Sequence, residues 1–283
     1  MAPVEVNGMS GYWGKPTALL EWCEDNYEVT YYIAEFWNSF SSFMFIIPAF
    51  VGILFAIQDK LEVRFICSYS GMILVGIASF VFHMTLKFET QILDELSMVW
   101  AITFFVYSAY ECNSPPKSTN YPLAAFVVLY SACVSISYVM LQQPVFHQAA
   151  FGLVTICIIA RTFYCARRMT YSKFLLWYPL VMYVAAFTLW LIDNNFCDQL
   201  RAIRSHLPFP FSGFFQLHAW WHVFTALASQ SQAAFNAHMR SNYLKQDFRV
   251  TGGPIPFVRL DHHGSRNGVT LPRQALNGNK KSY

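Results

Sequence analysis

Between about residue 33 and residue 237 the chain is a succession of apolar runs, each near the ~20 residues an α-helix needs to cross a bilayer. The runs fall at about 33–57, 67–86, 93–112, 121–141, 145–166, 174–196 and 214–237. Inside a bilayer every backbone N–H and C=O must find its partner within the protein, so such runs fold as helices. The expected fold is all-α: a polytopic membrane protein built as a seven-transmembrane helix bundle. Charge content agrees, because 12% of the 283 residues are charged against about 25% in soluble domains. Residues 1–32 form a polar N-terminal segment with an acidic cluster, 33–240 the bundle, and 241–283 a polar tail. That tail has little to bury and is expected to be disordered. Met1 to Thr30 lacks the apolar core of a cleavable signal, so the first membrane helix would act as the signal. A net charge of +3 gives no reason to expect nucleic acid, and the seven cysteines form no CxxC pair that would suggest a thiolate metal site.

Basic residues set the direction of the bundle. Lys60 and Arg64, Lys117, Arg167, Arg168 and Lys173, and Arg240, Lys245 and Arg249 all fall on one side of a seven-span arrangement. That side is expected to be cytosolic, which places the N-terminus in the lumen or exterior and the C-terminus in the cytosol. The opposing loops hold fewer cations, chiefly Lys87, Arg201 and Arg204.

Direction gives depth. His218 and His222 are four apart, on one face of the seventh span and in its lumenal half. This spacing lets two imidazoles reach one metal ion. His83 lies near the lumenal end of span two, and Asp94 and Glu95 in the expected first turn of span three. Ionisable residues at membrane depth are functional candidates. Three imidazoles with one open position describe a catalytic zinc site. His83, His218 and His222 are therefore expected to bind Zn2+ with a water in the fourth position. Asp94 would take that water's proton and pass one to a leaving amine. Ser79, four residues before His83 and on the same face, would donate to the developing oxyanion. Glu95 points elsewhere and reads as structural. His147 and Asp193 reach the same depth; His147 reads as a packing residue or a fourth ligand, and Asp193 as orienting a ligand histidine or bonding neighbouring helices.

Several motifs together resemble the alkaline ceramidase family, over Gly11 to about Tyr243. They are Trp22-Cys23-Glu24-Asp25-Asn26-Tyr27, Tyr32-Ile33-Ala34-Glu35-Phe36-Trp37-Asn38, Phe82-His83-Met84-Thr85-Leu86-Lys87, Leu93-Asp94-Glu95-Leu96, Ile192-Asp193-Asn194 and Phe215-Gln216-Leu217-His218-Ala219-Trp220-Trp221-His222. The resemblance implies an amide hydrolase that cleaves ceramide to a sphingoid base and a fatty acid, with zinc at His83, His218 and His222 and with Ser79 and Asp94 beside it. It implies an endoplasmic reticulum or Golgi membrane and a lipid substrate entering from the bilayer. It also implies a Ca2+ site made by Glu21, Glu24, Asn26 and Glu35 with the backbone carbonyl of Trp22, an all-oxygen set of the kind calcium takes. Glu21 departs from the Asp the family often has there. A Cys23–Cys197 disulfide is implied likewise, and a lumenal location permits it.

Two rival classes share these features: a related seven-span hydrolase acting on glycolipid anchors, and a seven-span zinc-containing receptor, expected to hold its N-terminus in the cytosol. A transporter would show broken helices or repeats, and neither is evident. The preferred ceramide and the oligomeric state have no signature in the sequence.

Overall fold

The computed structural model describes residues 11–261. Helices α1 (Phe36–Ser41) and α2 (Phe43–Gln58) make one crossing, followed by α3 (Val63–Thr85), α4 (Phe88–Tyr110), α5 (Tyr121–Leu141), α6 (Pro144–Arg168) and α7 (Lys173–Asn195). These six crossings are long and apolar enough to span a membrane. A short α8 (Cys197–Ser205) and a 3-10 turn (Phe211–Phe215) lead into α9 (Leu217–Tyr243). The protein is a mostly helical, multi-pass membrane protein.

The seventh expected span, α9, has the length but not the hydropathy. Its buried residues include Gln230, Ser231, Gln232, Asn236, His238, Arg240 and Ser241. The reason is its position: α7 packs along it most heavily, and α1, α2, α3 and α4 also touch it. Neighbouring helices satisfy its polar groups. Gln232 donates to Thr162 Oγ1 at 3.2 Å, Asn236 to Ser108 Oγ at 2.8 Å, and Arg240 Nε to Glu62 at 2.9 Å. In contrast, α5 buries only Val127, Val134 and Tyr138 and turns Phe126, Val128, Leu129 and Ile136 outward. That is the pattern of a helix solvated by lipid.

Helix starts follow local chemistry. Asn120 Oδ1 caps α5 by accepting from Leu123 N at 3.0 Å, and proline stands in the first turn of α5 and α6. At the end of α3, Leu86 adopts a left-handed conformation (φ 49°). Its carbonyl accepts from Thr17 N at 3.0 Å and Ala18 N at 3.2 Å. The N-terminal segment is thereby tied across the end of the bundle that holds the histidines. Tyr27 and Ala34 pack there against Phe82 and Leu86.

Two expectations are corrected. Span three does not begin at 93: α4 starts at Phe88, so Asp94 and Glu95 sit in its second turn and neither caps it. Polar Glu89, Thr90 and Gln91 look like loop, yet Gln91 is fully buried and accepts from Leu19 N at 2.6 Å. The tail is not structureless from 241 onward. The last turn of α9 reaches Tyr243, and β1 (Phe248–Thr251) pairs antiparallel with β2 (Phe257–Leu260). Arg259 docks this hairpin on the end of α2, with Nε 2.7 Å from Asp59 Oδ2. His262, His263 and the remaining tail lie outside the described residues.

Cys23 and Cys197 stand at disulfide distance, with Cα atoms 5.3 Å apart and a separation of 174 positions in the chain. Arg204 and Arg201 sit beside them: Arg204 Nη2 donates to Cys23 O at 2.5 Å, and Arg201 Nε lies 3.0 Å from Asp25 Oδ1. These two cations therefore serve local partners. A Cys23→Ser, Cys197→Ser double variant is expected to lose about 2–4 kcal/mol of stability. Thermal unfolding in detergent, with and without reductant, measures this; a wild-type Tm that ignores reductant would exclude the bond.

Candidate metal centre

His83 comes from the last turn of α3, and His218 and His222 from the first turns of α9. Their ring nitrogens include one ligand atom each within 4.8 Å of the others, and all three residues are buried. Among the described residues this is the one such cluster of three or more histidine, cysteine or acidic side chains. The structure thus brings together the three rings expected at one depth.

Each ring is held from behind. His83 Nδ1 lies 2.5 Å from Glu35 Oε2. His222 Nδ1 is 2.7 Å from Ser41 Oγ and 3.1 Å from Asn38 O. Those contacts turn Nε2 of both rings the other way, where Ser79 Oγ lies 3.4 Å from that of His222, and a carboxylate behind a histidine is how metal-binding imidazoles are oriented. His218 stacks on Trp22, ring centroids 3.9 Å apart, and its Nδ1 is buried without a partner. An orphaned buried imidazole nitrogen beside two oriented ones fits a nitrogen-preferring divalent ion such as Zn2+.

Ser79 and Asp94 reach the same place. Ser79 Oγ lies 3.4 Å from His222 Nε2 and accepts from Ser42 Oγ at 2.9 Å. Asp94 lines the same cleft as Ser79 and His222. Its carboxylate has no hydrogen-bond partner among the described residues. The cleft's void space, mouth included, is about 680 Å³.

The other polar residues at this depth find structural work. His147 Nε2 is 2.8 Å from Glu95 O and is no fourth ligand. Glu95 accepts from the Tyr138 hydroxyl and from Gln91 Nε2. Asp193 does not touch a ring: its carboxylate accepts from His218 N and Cys23 N, each at 3.3 Å. It thereby caps α9 from a neighbouring helix and ties down the N-terminal segment. Asn38, Ser41 and Ser42 carry no spacing signal; Asn38 was visible only as part of a motif.

The acidic cluster lies directly behind His83. Glu24 accepts from Trp37 N at 2.7 Å and Asn38 N at 2.9 Å, and Glu35 from Trp22 N at 3.3 Å and Asn38 Nδ2 at 3.0 Å. Asn26 Nδ2 reaches Glu21 at 3.5 Å, while Asn26 Oδ1 is buried and unpartnered. Burial, and next the Glu35 charge, push the Glu24 carboxyl well above the usual carboxylate range, and the same two causes raise Glu21. A divalent cation taken by oxygen ligands would offset that cost, and an orphaned amide oxygen among carboxylates fits one.

Fold and site together define a multi-pass membrane protein with a buried three-histidine centre. Comparison with known proteins narrows that class. The family model described as Ceramidase matches residues 14–252. Alkaline ceramidase 3 of Mus musculus is 40% identical over 236 residues, 83% of this chain and 88% of that protein. Alkaline ceramidase YPC1 of Saccharomyces cerevisiae is 31% identical over 258 residues, 83% of this chain and 80% of that protein. Alkaline ceramidase of Arabidopsis thaliana is 28% identical over 90% of this chain and 98% of that protein. The chain belongs to the alkaline ceramidase family of enzymes.

Proposed function

We propose that the chain is a zinc-dependent hydrolase of the ceramide amide bond, yielding a sphingoid base and a free fatty acid, with calcium supporting the N-terminal segment. The observation that carries this is the convergence of His83, His218 and His222 beside a cleft that His222, Ser79 and Asp94 line. In this reading α9 is the seventh crossing, the N-terminus is lumenal, the C-terminus is cytosolic, and the membrane is that of the endoplasmic reticulum or Golgi.

Zinc held by the three imidazoles supplies a Lewis acid for the amide carbonyl and acidifies a water. The chain's own residues do the rest. Glu35 keeps the His83 ring turned, and Ser41 and the Asn38 carbonyl keep His222 turned. Asp94, unpaired and buried, takes the proton from the attacking water and returns one to the leaving nitrogen. Because Ser42 donates to Ser79, the Ser79 proton is free to meet the oxygen that gains charge during attack. The apolar walls below the mouth, including Phe45, Val75 and Met98, hold hydrocarbon.

The decisive experiment is turnover of ceramide by the purified protein, with metal content measured alongside, before and after chelation. Loss of activity on zinc removal and recovery on zinc addition support the reading; full activity in a metal-free sample rejects it. Asp94→Asn is expected to lower kcat by about 10²–10⁴-fold with zinc content unchanged. A near-wild-type kcat in that variant would take the proton-transfer role from Asp94.

A further inference from the structure

The cleft is a shaft, not a bowl. It follows α9 down from His222 through Thr225 and Ser229 to Gln232, and α4 from Asp94 through Met98 and Ile102 to Phe105. Ten residues of α9 advance ~15 Å. Below Ser79, Asp94 and His222 the walls are mostly apolar, and at the lower end polar groups stand beside Phe105. There Tyr183 and Ser229 share a hydrogen bond of 3.1 Å. Gln232 Nε2 is shared between Thr162 Oγ1 at 3.2 Å and Asn236 Oδ1 at 3.0 Å, and Asn236 in turn donates to Ser108 Oγ at 2.8 Å.

We infer that this polar floor, formed by Gln232, which Thr162 and Asn236 hold from behind, with Tyr183 and Ser229 above it, is the stop that sets the length of fatty acyl chain the enzyme accepts. The inference rests on the proposed ceramide hydrolysis and deepens it. A hydrocarbon tip gains a modest amount for each methylene it buries, whereas separating one buried hydrogen-bonded pair costs more than one methylene returns. The chain therefore fills the shaft to the floor and no further. A longer chain lifts its amide away from Ser79, Asp94 and the histidines, and a shorter one leaves the lower shaft unfilled. The acyl chain is assigned here because it is plain methylene from the carbonyl onward and so suits the apolar walls just below the mouth. The base carries hydroxyls beside the amide that fit the polar headgroup boundary instead.

The test is kcat/KM of the full-length enzyme in lipid nanodiscs on two ceramide series. One holds the base constant and carries octanoyl, palmitoyl or lignoceroyl chains; the other holds the acyl chain constant and varies the base. Thr225→Phe, which plugs the shaft halfway, is expected to move the octanoyl-to-lignoceroyl ratio toward the short chain by about 10-fold or more. Gln232→Ala opens the floor and is expected to move it the other way. Zinc content and Tm near wild type show that each variant is folded, and Thr225→Met is the milder plug if the phenylalanine is not tolerated. Folded variants with the wild-type acyl profile would overturn the inference, as would a shift confined to the base series. Absence of ceramide turnover by the wild-type enzyme would instead sink the proposed function.

Discussion

A His222→Ala chain is expected to keep its helices, lose its zinc and fall more than about 100-fold in kcat/KM on ceramide. Even groups that only orient a metal ligand cost about 10–100-fold when removed, so the ligand itself costs more. Folding should survive, because the hydrogen bonds His222 makes to Ser41, Asn38 and Ser79 are local to the site. The helix it stands on is held elsewhere by Arg240, Asn236 and Gln232. Elemental analysis and turnover on the same sample decide the matter. Stoichiometric zinc in the variant would remove His222 from the ligand set, whatever its activity.

Replacing Glu35 with alanine should damage stability and chemistry together. Glu35 is fully buried and accepts from Trp22 N and Asn38 Nδ2 while facing His83 Nδ1. Its removal strands three donors where no bulk solvent reaches, at about 1–3 kcal/mol for each unsatisfied group. The expected loss is about 3–5 kcal/mol, read as a lower Tm in detergent. Turnover should also fall about 10–100-fold, since His83 loses the group that fixes its ring. If Glu35 is also a calcium ligand, added calcium will raise the Tm of the wild-type protein and not that of the variant. An identical calcium response in both proteins would count against that part.

Some of this architecture is readable along the chain. The i, i+4 pair His218/His222 and the position of His83 at one end of an apolar run suffice to place three rings at one depth, because helical rise is constant. Hydropathy sets α9 apart from the six crossings. It averages over a helix as though lipid surrounded all of it, while Gln230, Gln232, Asn236 and Arg240 face protein. The same averaging hides the start of α4, where buried Gln91 serves the N-terminal segment. The hairpin had a local signal: Phe248-Arg249-Val250-Thr251 alternates, and Gly252-Gly253-Pro254 separates it from the apolar-rich Phe257-Val258-Arg259-Leu260. It is lost when the tail is judged by composition alone. Ser41 and Ser42 reach the site through His222 and Ser79, partners distant in sequence, and no local pattern marks them.

The stripe of polar residues along α9 also constrains biogenesis. A segment bearing an arginine, two glutamines and an asparagine gains little by partitioning into lipid alone, since each such group is costly at the bilayer centre. Two of the three clustered imidazoles, the proposed zinc ligands, therefore ride on the segment translated after the six apolar helices, and that segment settles into a berth those helices have already built. The proposed catalytic centre is thus completed only when α9 docks, and a nascent chain that stalls before α9 is expected to be chemically inert.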